Sequence, residues 1–573
     1  MPVPIGPIGP IGRTGPAARR AVPALLLILA GCTPYWWLPS WIDVIPPPGF
    51  TLGRADTMEK VFRDKPWKGD RAGWLHIEAA RGEVEGVQLI VIPKRKDGLR
   101  SVTVEVSDLK SGDGAVLPAS CITWSVVGYV QLGKAMLSDE TGRWWPDPLL
   151  PPQPFDVKAG EVQPIWLSVR VPEGARAGLY SGRVMVRTAG SGWGGVGANL
   201  EVHVWDFAIP KQQHLETCFL LRPDNLTRFY KLPRVPIELY ERWIDFCVDH
   251  RISLTLNDWP QWDKDMERLV ERQLSRGGAC FCLSGAWFQK GKPEDRQKHV
   301  ANQVAQIRKL YDRAKARGWL PRAYVYCHDE IGKEQYEFAR ELYSALKKSM
   351  PDLRLEQTFY KDSPIPALDD CLDIWSPVTG RYRAAEFQAQ QAKGDEVWWY
   401  VCCGPGRPYA NLMIEWPALD HRILLWQNWK FGVTGFLYWG TTVWRDNLEG
   451  DKRWPDVPWN PATWVNAQGK PHYGDGQLLY PGPDGQPLSS IRFENLRDGI
   501  EDYEYFWLLR DAVSKLKEAG GHEALVAEAE KALAIDDAVV KDLTHFTADP
   551  RLLREARAQI AALIGRARAA LEK

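Results

Sequence analysis

The sequence has no surplus of charge: Lys and Arg total 72, and so do Asp and Glu. Nucleic-acid binding wants a basic face, so the electrostatic case for such a partner is missing. Long apolar runs are missing too. Ala21–Ala30 is the clearest, and it is far short of the ~20 residues a membrane-spanning helix needs. Cysteine is sparse, at 10 residues, with no Cys-x-x-Cys pair and no Cys/His metal spacing. There is no His-Glu-x-x-His, no Gly-x-x-x-x-Gly-Lys-Ser/Thr and no Gly-x-Ser-x-Gly. These absences leave no motif for a zinc site, a phosphate loop or a serine nucleophile elbow, and no cofactor is expected.

Several features are plentiful. The hydrophobic share of 45% and charged share of 25% are those of a globular protein, which excludes wholesale disorder. Tryptophan is abundant, at 28 residues. Flat aromatic faces suit cores, and they also suit the apolar faces of sugar rings.

Residues 1–32 read as an address. Arg13, Arg19 and Arg20 precede the apolar run, which ends in Leu29-Ala30-Gly31-Cys32. That order fits a secretory signal, and the last four residues resemble a bacterial lipobox. The resemblance implies lipidation of Cys32, export across the inner membrane and anchoring to the bacterial cell envelope or surface. Residues 33–49 form a Pro-rich tether. The other nine cysteines mostly lie in apolar strand-like runs and are expected to pack as small buried hydrophobes.

Residues 50–210 read as all-β. Val102, Val104 and Val106 alternate with polar neighbours, as do Leu200, Val202 and Val204, and turn residues recur at short intervals. That pattern predicts a β-sandwich. From 211 to 510 apolar strands alternate with amphipathic helices. Eight strands are expected, at Thr217–Leu221, Ile252–Leu256, Ala279–Ser284, Ala323–Tyr326, Leu353–Phe359, Leu372–Val378, Val397–Cys403 and Gly435–Thr441. Their count and spacing predict a (β/α)8 barrel. An open doubly wound sheet would want Gly-x-Gly-x-x-Gly after the first strand, which is absent. Residues 511–573 are expected to be helical.

Barrel enzymes carry their reactive groups at the carboxyl ends of the strands. The fourth predicted strand runs directly into His328-Asp329-Glu330. A Glu lifted in pKa by burial and by a neighbouring carboxylate can serve as a general acid for glycosidic cleavage. The seventh strand ends Tyr400-Val401-Cys402-Cys403 and offers no carboxylate nucleophile. A substrate-assisted route needs none, because the 2-acetamido group of the sugar attacks its own anomeric carbon. Asp329 would then orient the acetamido nitrogen and Glu330 would act as acid and base. Side chains of neighbouring residues in a strand oppose each other, so a distorted strand end is required. Tyr438 and Trp439 are the expected sugar platform, with Trp375 and Trp399 as further aromatics and Asn257 and Asp258 as hydroxyl ligands. Asp446 is the reserve carboxylate. Two other readings stand open: a glycosidase of other specificity using Glu330 with Asp446, and a non-catalytic glycan-binding lipoprotein.

The run Ile491-Arg492-Phe493-Glu494-Asn495-Leu496-Arg497-Asp498-Gly499-Ile500-Glu501-Asp502-Tyr503-Glu504-Tyr505 resembles the carboxyl-terminal signature of glycoside hydrolase family 123 and its relatives, grouped as domain of unknown function 4091. Tyr473-Gly474-Asp475-Gly476, Leu479-Tyr480-Pro481-Gly482 and Val204-Trp205-Asp206-Phe207 are similar to the same pattern. The resemblance implies a sandwich followed by a barrel, and a retaining β-N-acetylgalactosaminidase acting on a glycan. Its Asp-Glu pair after the fourth strand corresponds to Asp329 and Glu330. The charged residues of the signature are expected to form a buried ion network rather than to act on substrate.

Overall fold

A computed structural model of the chain describes residues 49–134, 137, 142–189, 195–256, 262–288, 295–448, 450 and 454–572. Cys32 and residues 33–48 of the tether lie outside them, as do Asn257 and Asp258. Among the described residues no helix is long and apolar enough to cross a membrane.

The amino-terminal part of the described chain, residues 50–208, is β-structure in two sheets. One runs Phe50–Ala55, Val84–Pro93, Gln163–Arg170, Ile122–Gln131 and Trp144–Leu150, all antiparallel. The other is led by Trp74–Arg81, Val196–Ala208, Gly178–Arg187 and Leu99–Val106. Alternation assigns the faces: Leu200, Val202 and Val204 are buried in the core between the sheets, while Glu201 and His203 turn away. The period-two reading thus describes why these strands bury one face.

The next region is a parallel sheet of seven strands. In spatial order they are Glu216–Phe219, Gly435–Tyr438, Glu396–Tyr400, Ile374–Pro377, Arg354–Phe359, Ala323–Tyr326 and Phe281–Gly285. The barrel is therefore nearly closed with seven laddered strands, a correction to the eight expected. The missing one is Ile252–Leu256. It lies between the first and last strands but makes one isolated bridge, Phe219 with Leu254. Three backbone bonds close the gap: Phe219 N–H to Ser253 O, Thr255 N–H to Phe219 O and Cys282 N–H to Thr255 O. Side chains take the groups a ladder would use. Thr217 Oγ1 accepts from Ser253 N–H at 2.7 Å, and the Gln273 amide bonds both the N–H and the carbonyl of Leu254 at 2.9 Å. Leu256 then turns left-handed at φ +63°.

Strand alternation separates the barrel's interior from its helix-facing wall. Cys218, Cys282, Tyr324, Ile374, Trp398, Tyr400 and Leu437 form the inner cluster. Phe219, Val325, Trp375, Val397, Trp399 and Phe436 belong to the core outside, under the helices. The 29-residue helix Ile491–Ala519 starts at Ser490, whose hydroxyl accepts from Phe493 N–H at 3.2 Å, a capping arrangement. It packs on the helices Ala418–Lys430 and Pro550–Leu571.

The charged signature on this long helix is buried and paired. Arg492 grips Asp147 of the sandwich through two bonds of 2.8 Å and also bonds the carbonyls of Leu412 and Gly474. Arg422 bonds Asp502 at 2.6 and 2.8 Å and Glu85 at 3.0 Å. Arg497 pairs with Glu494 and Asp498. Bidentate guanidinium pairs suit buried charge, since each carboxylate left alone there would be costly. The network joins the helix to the sandwich as well as to the barrel side.

Candidate active site

At the carboxyl end of the barrel lies a cavity of about 520 Å³. Asp329 and Glu330 line it, with Tyr326, Thr358 and Tyr400 beneath and beside them. The required distortion is present. Glu330 has φ +47°, a left-handed conformation that costs a non-glycine residue roughly 1–2 kcal/mol. The turn begins as the strand Ala323–Tyr326 ends, and it delivers two neighbouring carboxyls to one cleft.

Each carboxyl has its own support. Tyr326 donates its hydroxyl to Asp329 Oδ1 at 2.7 Å, and the Thr358 hydroxyl donates to the same oxygen at 3.1 Å. Thr358 Oγ1 also accepts from Glu330 N–H at 3.2 Å, tying the turn to the next strand. Tyr400 donates to Glu330 Oε1 at 2.5 Å. Glu330 as a whole residue opens to the cleft mouth, yet protein surrounds the base of its carboxyl. Burial raises its pKa first, and the Asp329 charge adds to the rise. The Tyr400 hydroxyl and Lys361 pull the other way, and the net shift is upward. A carboxylic acid that holds its proton above the usual range is suited to protonating a leaving oxygen.

The wall is aromatic. Tyr438, Trp439, Trp287 and Trp464 line it, and Trp287 is 43% exposed, so its face is reachable. Tyr438 is buried, and its hydroxyl accepts from Gly476 N–H at 2.8 Å. Trp439 Nε1 donates to Asp475 Oδ1 at 2.8 Å.

Two aromatic expectations need correcting. Trp375 is fully buried and donates to Asp395 at 2.8 Å, and Trp399 is fully buried and donates to Asn428 at 2.8 Å. Both alternate outward into the helix layer, so neither lines the cleft. Asp446 is a third correction: it sits exposed in the turn Arg445–Leu448, accepts from Asn460 at 3.2 Å and does not line the cavity. The further carboxylate in the cleft is Asp475, whose pKa burial pushes up to about 6. It stands between Gly474 and Gly476, which have φ +78° and +71°. Paired glycines in an irregular stretch were the available signal. Trp464 carried none.

His328 is not part of a metal cluster: its Nδ1 accepts from Phe288 N–H at 3.1 Å and its ring stacks on Phe288. Among the described residues no group of His, Cys, Asp and Glu could hold a metal ion.

The profile for the glycoside hydrolase 123 catalytic domain matches residues 238–509, and that for the glycoside hydrolase 123 N-terminal domain matches residues 54–188. The chain belongs to glycoside hydrolase family 123. It is a glycosidase by that membership, with a glycan as substrate. Among solved structures, a family 123 glycoside hydrolase from Clostridium perfringens, studied for glycolipid glycan hydrolysis, is similar over 91% of this chain and 98% of its own. The TM-score is 0.65 at 13% identity, which shows a shared fold. An FMN-binding β-glucuronidase from Facaelibacterium prausnitzii L2-6 has 11% identity over 81% of this chain and 62% of its own, with a TM-score of 0.31. A family 39 glycoside hydrolase from Bacteroides cellulosilyticus WH2 has 12% identity over 74% and 81%, also at 0.31. Likenesses at 0.31 bear on nothing further. No curated protein matches the sequence.

Proposed function

We propose that this family 123 chain hydrolyses terminal β-linked N-acetylhexosamine, GalNAc in particular, with retention and with the sugar supplying the nucleophile. The observation that carries the reading is the left-handed turn at Glu330, which turns Asp329 and Glu330 into one cleft. The strand Glu396–Tyr400 and the turn after it add support, since the side chains they bring to the cleft are Tyr400, Cys402 and Cys403 and include no carboxylate. In the proposed reaction Glu330 gives its proton to the glycosidic oxygen. The acetamido carbonyl oxygen attacks the anomeric carbon from the opposite face, while Asp329 accepts from the acetamido N–H and counters the charge of the cyclised oxazolinium. Glu330, now a base, takes a proton from water as that water opens the ring. Two displacements at one carbon return the β configuration.

Tyr326 and Thr358 orient Asp329 in this scheme, and Tyr400 orients Glu330. The study of the Clostridium perfringens relative names glycolipid glycans, which makes them the first natural substrates to assay. The acetamido preference and the choice of GalNAc rest on the family resemblance of the sequence motifs.

Aryl glycosides of graded leaving-group acidity test the roles. Glu330→Gln should lose about 10²–10⁴-fold on poor leaving groups and far less on good ones, which need little protonation. Asp329→Asn should lose on both. Equal, mild losses in the two variants would contradict the assignment. A second reading, with a protein carboxylate as nucleophile, has Asp475 in its favour because that residue lines the same cleft. It predicts turnover of sugars lacking the acetamido group.

We also propose lipidation at Cys32 and an envelope location for the mature chain. Expression with a labelled fatty acid should tag the wild type and not Cys32→Ser, and equal labelling would refute it.

A further inference from the structure

Cys402 and Cys403 stand apart as a pair among the described cysteines. Cys218, Cys247, Cys280, Cys282, Cys327 and Cys371 are buried and Cys121 is half-buried away from the cleft, whereas these two are half-buried and both line the cleft. Side chains of adjacent residues in a strand point to opposite faces, which would hold two neighbouring thiols apart. Here the strand ends at Tyr400 and the chain turns tightly, with Cys402 N–H donating to Gly404 O at 2.8 Å. The Asn411 amide pins the turn by donating to the carbonyls of Cys402 and Pro405, each at 3.0 Å. The two sulfurs end 3.8 Å apart.

We propose that Cys402 and Cys403 are a redox pair that closes to a vicinal disulfide in the wall of the cleft. The oxidant is a small-molecule disulfide reaching the cleft from solvent. The Cys403 sulfur, as thiolate, attacks it, forming a mixed disulfide and releasing one thiol. Cys402 then loses its proton to solvent and attacks the Cys403 sulfur, releasing the second thiol. Two electrons and two protons leave the pair, and the oxidant departs as two thiols. The hydrogen bond from the Cys402 thiol holds the Cys403 thiol below its ordinary range, which favours it as the first nucleophile. Adjacent Cα atoms stand only about 3.8 Å apart, closer than in ordinary disulfides, and strained disulfides are readily reduced. The ring is therefore expected to open under mild reductant.

Closure replaces two thiols with an apolar ridge. Both Glu330 and Asp475 lie near enough to Cys403 to act on its charge, and all three line the same cleft, so the ridge would alter the wall that the proposed acid shares. The chemistry of closure does not depend on the glycosidase reading of the cleft; only the effect on substrate does.

The test uses the full chain, reduced and then treated with oxidised glutathione. Free thiols are alkylated and the peptide bearing both residues is weighed. The expected result is a peptide two hydrogens lighter and unalkylated, restored by dithiothreitol. Single variants Cys402→Ser and Cys403→Ser should instead keep one glutathione. Alkylation of both cysteines in the wild type, or a stable glutathione adduct on one of them, would overturn the proposal. A second readout is KM for an aryl 2-acetamido glycoside. It should differ between oxidised and reduced wild type, and the difference should vanish in the double Ser variant. Equal KM in both wild-type forms would overturn the pair's place in the substrate wall, whatever the masses show.

Discussion

Replacing Tyr400 with phenylalanine removes a single hydroxyl from the proposed acid. That hydroxyl donates to Glu330 Oε1 at 2.5 Å, and a donor to a carboxylate stabilises the charged form. Its loss should therefore raise the Glu330 pKa further. A hydrogen bond to a charged group is worth about 1.5–3 kcal/mol, and one pKa unit is 1.36 kcal/mol, so the range is roughly 1–2 units. Solvent at the open side of the carboxyl argues for the lower end, about one unit. The acid form of Glu330 is the active one in the first step, so the alkaline limb of kcat/KM should move up by that amount. The assay is the pH dependence of kcat/KM for an aryl glycoside with a poor leaving group, wild type beside Tyr400→Phe. An alkaline limb that stays in place, or moves to lower pH, would refute the reasoning, because neither is compatible with a hydroxyl that holds the carboxylate form.

Two further predictions concern stability. Arg492→Met strands the buried carboxylate of Asp147, which among the described residues then keeps only Tyr480 as donor; breaking such a pair costs about 3–5 kcal/mol, and Arg492→Met with Asp147→Asn should recover part of it in denaturant melts. Glu356 is fully buried inside the barrel, and burial raises its pKa from 4.5 to about 8. The folded protein therefore holds a proton there that the unfolded chain has released. Stability is whole below pH 4.5 and declines as pH rises towards 8, by at most ~5 kcal/mol. Glu356→Gln should flatten this slope, and an unchanged difference between the two melting curves from pH 5 to pH 8 would contradict it.

Much of this architecture was legible because burial leaves a period in the chain. The alternation of Val102, Val104 and Val106, and the apolar run Ala323–Tyr326, report surfaces that are buried on one face or two. Asp329 and Glu330 were legible because a barrel strand ends just before them. What the period does not carry is phase. Trp398 and Trp399 are adjacent, and only the three-dimensional register decides that Trp398 turns inward and Trp399 packs on the helix Ala418–Lys430. Ile252–Leu256 looked like its neighbours, but Thr217 and Gln273, distant in sequence, take its backbone groups. Asp475 reaches the cleft from an irregular segment held by Arg492 through the Gly474 carbonyl, a long-range contact that the flanking glycines hint at but do not locate. The cysteine pair was hidden for the opposite reason: its apolar surroundings read as core, and the turn after Tyr400 is what opens it to the cleft.

The account turns on whether the sugar provides its own nucleophile. The most direct measurement compares kcat/KM for two aryl β-galactosides that share a leaving group, one carrying a 2-acetamido group and the other a 2-hydroxyl. Participation predicts turnover of the acetamido sugar and no detectable turnover of the hydroxyl sugar. Comparable rates for the two would contradict it and shift the nucleophile to a protein carboxylate.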